Sequence, residues 1–243
     1  MPDAASQSSA RSLGQLFSLG RTGGGDGVSV AAGTGPDTQP LGGALKRGLD
    51  LVVATASILL LAPMVMLLAL LVLLTMGRPI FYEHERVGFQ RRPFRCQKFR
   101  TMVRDPDAVL ARHLEEDPEA AREWSDTRKL RQDPRVTFVG RLLRKSSLDE
   151  LPQLLNVLRG EMSCVGPRPV VEDELARYGT KAPLYLSARP GMTGLWQVSG
   201  RSSVDYARRV ALDERYVCRW SIWLDLKILL DTIFVIVAFN DAA

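Results

Sequence analysis

The chain has 243 residues, enough for one domain with a hydrophobic core or for one domain with appendages. Its 32 Lys and Arg against 27 Asp and Glu give a formal charge of +5, which fits anionic partners such as phosphorylated ligands, nucleic acid or an anionic membrane surface. Its three cysteines are odd in number and far apart, which excludes a disulfide framework or a cysteine metal site, and we expect reduced thiols.

The first segment is polar. Residues 1–43 are rich in Gly, Ser, Ala and Thr, and they cannot bury enough apolar surface to offset the entropy of ordering. We therefore predict a disordered tail, and we see no apolar stretch with a small-residue cleavage site of the kind that marks a signal peptide. The sequence divides after this tail into a membrane segment at 44–77 and a further domain at 78–243.

An uncharged run extends from Leu51 to Met76. As a helix it would rise about 39 Å, which exceeds the roughly 30 Å thickness of a hydrocarbon core. Pro63 removes a backbone donor within the run and predicts a bend or break there. Two topologies stay open on these grounds: a kinked helix that spans the membrane, and a re-entrant helix–break–helix. Basic residues flank both ends, which favours re-entry because the positive-inside rule puts both ends in the cytoplasm.

The next stretch, from Arg78 to Arg104, is strongly basic, with eight Arg or Lys against two Glu. Phe-rich segments of alternating character predict one or two strands joined by a turn at Gly88. Interleaved basic and aromatic residues can bind single-stranded nucleic acid, but directly after a membrane run they favour a lipid-facing patch or an anion site. The polar pattern of residues 105–130 predicts a helical segment that is exposed to solvent. Neither histidine of the chain has a partner at metal-ligand spacing, so neither is assigned a role.

Two adjacent carboxylates, Asp149 and Glu150, stand where an apolar helix is predicted to begin. A helix that starts at Asp149 leaves Pro152 in its first turn and puts Asp149 at the positive end of the helix dipole, which favours the ionised form. The alternative is an ordinary capped helix followed by a core stripe of leucines.

Two arginines are candidates for contacts near the dyad. A short helix before the dyad brings Arg144 close to it. Two prolines fix the backbone around Arg168, which suits a bidentate phosphate contact.

Two more helices are predicted near the C-terminus. Residues 203–218 are amphipathic, and residues from about 220 to 239 are apolar but interrupted by Asp225, Lys227 and Asp231. Because these charges argue against a spanning helix, and tryptophans stand at one end, we predict a helix that lies in the membrane interface. The expected fold class is α+β and mostly helical, with short strands and amphipathic interfacial helices.

Nine short motifs follow one another in order and spacing along the chain. They are Arg86-Val-Gly, Pro93-Phe, Lys98-Phe-Arg-Thr-Met, Asp133-Pro-Arg-Val, Gly140-Arg141, Ser147-Leu-Asp-Glu-Leu-Pro-Gln, Asn156-Val-Leu, Gly166-Pro-Arg-Pro and Pro190-Gly-Met-Thr-Gly. From about Leu45 onward the chain thereby resembles the bacterial sugar transferase family, the monotopic phosphoglycosyl transferases that begin exopolysaccharide and glycan assembly.

The resemblance implies an activity and a site. It implies transfer of a sugar-1-phosphate from a UDP-sugar to undecaprenyl phosphate with release of UMP. Asp149 would be the nucleophile, through a phosphosugar–aspartyl intermediate, and would contact Mg²⁺, while Glu150 has a looser role as general base or support for the metal. Cationic residues at or near family positions would bind phosphate: Lys98, Arg144 and Arg168, and with weaker support Arg100, Arg189 and Arg201.

The resemblance also implies a topology and a location. The family's membrane segment is a re-entrant helix broken at a proline, here Pro63, so both ends and the catalytic domain would lie on the cytoplasmic face of the bacterial inner membrane. Ala62 stands where the family usually has a serine, so no hydroxyl is available there for freed carbonyls. The expected partners are the UDP-sugar, undecaprenyl phosphate and membrane phospholipid, without nucleic acid. The oligomeric state stays open, although the amphipathic C-terminus could support a homodimer.

Two other functions stay open. An inverting glycosyltransferase acting on a lipid acceptor would move the sugar without its phosphate and would release UDP. A membrane-anchored basic adaptor would explain the basic cluster and the apolar run, but it gives no reason for Asp149 and Glu150 beside Arg144 and Arg168. No residue declares which sugar is carried.

Overall fold

A computed structural model of the protein describes residues 39–127, 130–200 and 205–240. The predicted tail lies outside these residues up to position 38. Helices dominate the described part of the chain, and the strands are short. The helices are α1 (Gly43–Met76), α2 (Pro106–Glu116), α3 (Pro118–Thr127), α4 (Phe138–Lys145), α5 (Gln153–Arg159), α6 (Glu172–Ala176), α7 (Ala182–Leu186), α8 (Leu195–Val198), α9 (Tyr206–Cys218) and α10 (Ile222–Asn240); the strands are β1 (Phe81–Val87), β2 (Pro93–Phe99), β3 (Ser163–Val165) and β4 (Gly191–Thr193).

The apolar run forms most of α1, a helix of 34 residues. Among the described residues, it is the one helix whose length and composition would allow it to cross a membrane. The sequence predicted a bend or a break at Pro63; the chain forms one helical element through that residue, so the helix does not end there, and a bend stays a prediction. A proline inside a helix removes one hydrogen bond, so it can bend the axis without ending the helix. The side chains of Leu59 and Leu60, near the middle, are 72% and 79% exposed.

Both ends of α1 contact the same folded domain. Near the first end, the buried Lys46 ammonium donates to Asp225 Oδ2 at 2.6 Å and to the Tyr216 hydroxyl at 3.0 Å. Near the other end, an apolar cluster joins α1 to β2 and α4; its buried members are Leu68, Val72, Phe99 and Leu143. The helix is thus attached to the domain at both ends, and its middle is largely exposed.

Strands β1 and β2 form an antiparallel hairpin in which Phe81 faces Phe99 and Val87 faces Pro93. The chain turns at Gly88 and passes through a short 3₁₀ helix before β2 begins. This confirms the predicted pair of strands with a turn at Gly88. Because side chains alternate along a strand, every second residue of the hairpin faces the same side.

Strands β3 and β4 pair in parallel, with Ser163 opposite Gly191 and Val165 opposite Thr193. The backbones come very close beside this pair, since a Cβ on Gly191 would lie 2.1 Å from the amide nitrogen of Gly166. Only glycine allows that approach. The Pro-Arg-Pro loop leaves the end of β3 at this point, so the strand pair fixes where the loop begins.

Asn156 connects α5 to the outer edge of β2 and is fully buried. Its Oδ1 accepts a hydrogen bond from the backbone N–H of Gln97 at 3.0 Å, and its Nδ2 donates to the carbonyl of Arg95 at 2.8 Å and to Glu161 at 2.7 Å. The carboxamide therefore pairs with β2 as a neighbouring strand would, and it fixes α5 against the hairpin.

Helix α10 matches the helix predicted at about 220–239. One of its charged residues faces inward: Asp225 is 0% exposed and accepts hydrogen bonds from Lys46, Tyr216 and the Trp220 indole. Its exposed face is apolar and includes Trp223 and Phe234. The helix is confirmed, and its placement in the membrane interface stays a prediction.

The first testable consequence concerns the Lys46–Asp225 pair. We expect Lys46→Ala to lower the free energy of unfolding by about 3–5 kcal/mol, because Asp225 would remain buried without its cation. Thermal unfolding in detergent measures this, with Lys227→Ala on the exposed side of α10 as the matched control. Equal unfolding temperatures for the two variants would contradict the prediction.

Candidate active site

The two carboxylates of the dyad lie on a 3₁₀ turn, Leu148–Glu150, and not at the start of a helix. Ser147, just before the turn, has a left-handed backbone with φ of 58°, and α5 begins only at Gln153, after Pro152. The predicted helix start at Asp149 is therefore wrong. The left-handed residue redirects the chain, so the dyad forms a separate turn between α4 and α5.

Asp149 is 7% exposed, and this burial is the main influence on its pKa. Desolvation raises the pKa of Asp149 from 3.8 to about 6, with the charge of Glu150 acting in the same direction, while Lys98 and Arg144 oppose the rise. Because no helix begins at Asp149, the expected contribution of a helix dipole does not apply, and burial outweighs the nearby cations. Asp149 is still mostly ionised at neutral pH, and it is far more basic than an ordinary aspartate.

Glu150 is occupied by a cation from the hairpin. Lys98 Nζ, on β2, lies 2.6 Å from Glu150 Oε1, and both side chains are about one-third exposed. Arg144, at the end of α4, has its Nε donating to the Thr101 hydroxyl at 2.9 Å. Lys98 and Arg144 also act electrostatically on Asp149, so β2 and α4 each bring a cation to the dyad.

These residues share one cavity of about 1190 Å³. Seven cationic side chains and three carboxylates line it, so it favours an anionic occupant. The predicted residues Lys98, Arg144 and Arg168 lie in its wall beside Asp149 and Glu150, and so does Arg100. Arg201 lies outside the described residues, and Arg189 instead lies close to Arg47, so its pKa is lowered by burial and by that charge.

Arg100 has a second set of contacts. It is buried, and its Nη2 donates to the carbonyls of Met76 and Gly77 at the end of α1. Its Nε and Nη1 are buried without a hydrogen-bond partner. Arg100 therefore anchors the end of α1 to the cavity wall, and its predicted contact with phosphate stays a prediction.

The sequence did not identify several residues of the lining. Tyr82, His84 and Arg86 alternate along β1 and all face the cavity. The pKa of His84 is lowered by burial and by the charges of Arg86 and Lys98, which favours neutral imidazole. The signal that could have found them is the register of the hairpin, in which Tyr82 is opposite Lys98.

Arg168, on the Pro-Arg-Pro loop, is held by an aromatic ring. Its guanidinium carbon lies 5.5 Å from the centre of the Trp196 ring, and Arg209 lies 4.8 Å from the same ring. Behind it, the buried Asp213 accepts a hydrogen bond from the Tyr178 hydroxyl at 2.8 Å. Burial raises the pKa of Asp213 to about 7, although Tyr178 and the charge of Arg168 oppose that rise. The loop, α8 and α9 thus position Arg168 together.

The cavity lining fits a divalent cation only if a bound substrate supplies some of the ligands. Among the described residues, no group of three or more His, Cys, Asp or Glu side chains is arranged to hold a metal ion. Mg²⁺, however, is commonly bound through one or two carboxylates together with the phosphates of a substrate. Asp149, with Glu150 next to it, meets that requirement, so the site fits a cation that shares its coordination with a bound diphosphate.

The fold and the site define a class of protein: an enzyme with a long apolar helix and a buried carboxylate in a basic cavity, suited to chemistry on phosphorylated substrates. Comparison with known proteins then gives the family. The profile described as bacterial sugar transferase matches residues 41–239. Because this match covers most of the chain, the protein belongs to the bacterial sugar transferase family.

Several curated relatives are similar over most of this chain. The exopolysaccharide production protein ExoY of Rhizobium meliloti (strain 1021) is 53% identical over 195 residues, which are 80% of this chain and 86% of that protein. The undecaprenyl-phosphate galactose phosphotransferase of Salmonella typhimurium is 50% identical over 198 residues, 82% of this chain and 41% of that protein. The UDP-glucose:undecaprenyl-phosphate glucose-1-phosphate transferase of Caulobacter vibrioides is 42% identical over 220 residues, 82% of this chain and 76% of that protein.

The raised pKa of Asp149 predicts that its charge destabilises the fold. A carboxyl whose pKa rises from 3.8 to about 6 on folding stabilises the protein below about pH 4, and this contribution is lost as the pH rises through 6. We therefore expect Asp149→Asn to raise the unfolding free energy near neutral pH by up to roughly 3 kcal/mol, and by less as the pH falls toward 4. Thermal unfolding across this pH range measures the effect.

The control for this experiment is Asp107→Asn, which changes an exposed carboxylate of the same cavity. It should leave the unfolding temperature nearly constant at each pH. An Asp149→Asn variant that is less stable than the native chain near neutral pH would show that the carboxylate stabilises the fold.

Proposed function

We propose that the protein transfers a sugar-1-phosphate from a UDP-sugar to undecaprenyl phosphate and releases UMP, as the first membrane step of exopolysaccharide or glycan assembly. The observation that carries this proposal is the buried, basic carboxylate of Asp149 within a cavity of cations. The names of two relatives, a galactose phosphotransferase and a glucose-1-phosphate transferase that use undecaprenyl phosphate, support the choice of acceptor and of transferred group.

The reaction proceeds in two displacements at one phosphorus atom. The Asp149 carboxylate attacks the phosphorus that bears the sugar, the bond to the bridging oxygen of the diphosphate breaks, and UMP leaves with that oxygen. An oxygen of undecaprenyl phosphate then attacks the same phosphorus and displaces the Asp149 carboxylate. The product is a lipid diphosphate sugar, and the bond between the sugar and its phosphate oxygen is never broken.

Cations at the cavity wall make this attack feasible. An anionic nucleophile and an anionic diphosphate repel one another, and positive charge around the phosphorus offsets that repulsion most effectively in the transition state. Lys98, Arg144 and Arg168 line the cavity from β2, α4 and the Pro-Arg-Pro loop, and the charges of Lys98 and Arg144 act on Asp149 directly. Arg100 and Arg201 are further candidates for phosphate contacts.

Glu150 and Mg²⁺ complete the proposed site. Lys98 pairs with Glu150 next to Asp149, where Glu150 would orient the metal or the incoming phosphate. Asp149 would hold Mg²⁺ jointly with the diphosphate, and the bound ion would supply positive charge to the phosphate oxygens.

The contacts of α1 support a re-entrant membrane helix. A spanning helix would place its ends on opposite sides of roughly 30 Å of hydrocarbon. Both ends of α1 instead contact polar groups of one domain, through Lys46 with Asp225 and through Arg100 with Met76 and Gly77. A domain on one side of the membrane can make both sets of contacts only if the helix enters and leaves on that side. We place the domain on the cytoplasmic face of the inner membrane, where the basic residues flanking α1 belong.

The identity of the released nucleotide tests this function. We expect one member of a panel of UDP-sugars to yield UMP in the presence of Mg²⁺ and undecaprenyl phosphate. Asp149→Asn should reduce the rate on the order of 10³-fold or more, because an amide does not attack phosphorus. The matched control is Asp107→Asn, which retains the rate. Release of UDP by the native chain would point to direct glycosyl transfer and contradict the mechanism.

The pH dependence tests the role of Asp149 as nucleophile. Because only the ionised carboxylate attacks, kcat/KM for the UDP-sugar should fall about tenfold per pH unit below about 6 and reach a plateau above it. The donor rather than the lipid acceptor is varied, since a phosphate monoester itself titrates near pH 6. The His84→Gln variant should show the same fall in kcat/KM below about pH 6. A limb near the ordinary aspartate pKa of about 4 would contradict the assignment.

A further inference from the structure

One end of the cavity is apolar, and the diphosphate chemistry leaves it without an occupant. On α1, the lining side chains recur every four residues and so share one face of the helix. On α10, they come from consecutive turns of one face. These residues define the α1–α10 groove: Val53, Ser57 and Leu61 on α1, and Leu229, Thr232 and Ile233 on α10.

The groove follows from how the two helices leave the domain. Both start at the Lys46–Asp225 ion pair and pack on β3. Two turns further along α1 and one turn further along α10, Ala54 and Ile228 belong to the same core cluster, so both helices leave the domain from one region. Beyond that level, residues of both helices line the cavity, and so do Cys164 and Met192.

The two threonines at this groove are already hydrogen-bonded within the protein. The Thr232 hydroxyl donates to the carbonyl of Ile228 at 2.7 Å and lies 2.8 Å from the Thr193 hydroxyl. These threonines therefore need no hydrogen bond from a ligand. Such a surface suits a hydrocarbon chain better than a sugar or a nucleotide, which would need polar partners.

We propose that the α1–α10 groove binds the polyprenyl chain of the acceptor next to its phosphate group and directs that phosphate to Asp149. This inference rests on the proposed function. The groove and Asp149 belong to one cavity, so a lipid whose first isoprene units lie in the groove would have its phosphate near the dyad. The UDP-sugar reaches Asp149 from the basic end.

The first test separates the two half-reactions. Ser57→Trp should raise the KM for undecaprenyl phosphate tenfold or more, while the stoichiometric release of UMP measured without acceptor persists. The matched control is Leu60→Trp, which introduces the same side chain less than one turn away on the exposed side of α1. It should change neither quantity. Equal KM values for the two variants would overturn the inference.

A second test does not depend on catalysis. In a Cys218→Ser background, which removes the exposed native thiol, Ser57→Cys and Leu60→Cys are labelled with a maleimide in detergent. Undecaprenyl phosphate should slow labelling at position 57 at least tenfold and leave position 60 unchanged, whereas dodecyl phosphate, with a short chain, should protect weakly.

The outcomes of the second test are decisive even if Ser57→Trp disturbs the dyad. No protection at position 57 would overturn the inference, and so would equal protection by phosphatidylglycerol, which would mark a groove for any lipid. If no UDP-sugar yields UMP from the native chain, the proposed function fails, and the labelling result still decides whether the groove binds a polyprenyl phosphate.

Discussion

The buried ion pair between Lys46 and Asp225 fixes the position of the apolar helix, and much of the site depends on it. One turn further along α1, Asp50 accepts hydrogen bonds from the Ser163 hydroxyl at 2.8 Å and from the backbone N–H of Cys164 at 2.9 Å. Polar contacts of this kind are directional, so they set the rotation of α1 as well as its position. Because β3 leads into the Pro-Arg-Pro loop, the start of α1 and the position of Arg168 are linked through one short strand.

The site balances two opposing electrostatic effects. Burial alone would make Asp149 a neutral acid, and exposure among the cations would make it a weakly nucleophilic carboxylate. The protein combines burial with Lys98 and Arg144, so Asp149 is basic and yet charged at neutral pH. Destabilisation of this kind is expected where a group is arranged for reaction rather than for folding.

Much of the fold could be predicted because its signals are local. The hairpin around Gly88 follows from alternation, and α5 over Gln153–Arg159 follows from its leucines. The motifs also gave the dyad and several of the cations that line its cavity. Long-range contacts were beyond the sequence. Asp225 looked like a surface charge because its partner, Lys46, lies 179 positions away. The left-handed backbone of Ser147, which displaces the helix start, has no glycine to signal it.

The side chain of Asn156 has a consequence for how the protein behaves among other copies of itself. A two-stranded hairpin has two unpaired edges, and such edges can pair with strands of another chain and so begin aggregation. Asn156 occupies the backbone groups of Gln97 and Arg95 on one of them. At this point β2 cannot accept a foreign strand. The amide that fixes α5 against the hairpin thereby also protects this edge of the hairpin from edge-to-edge association.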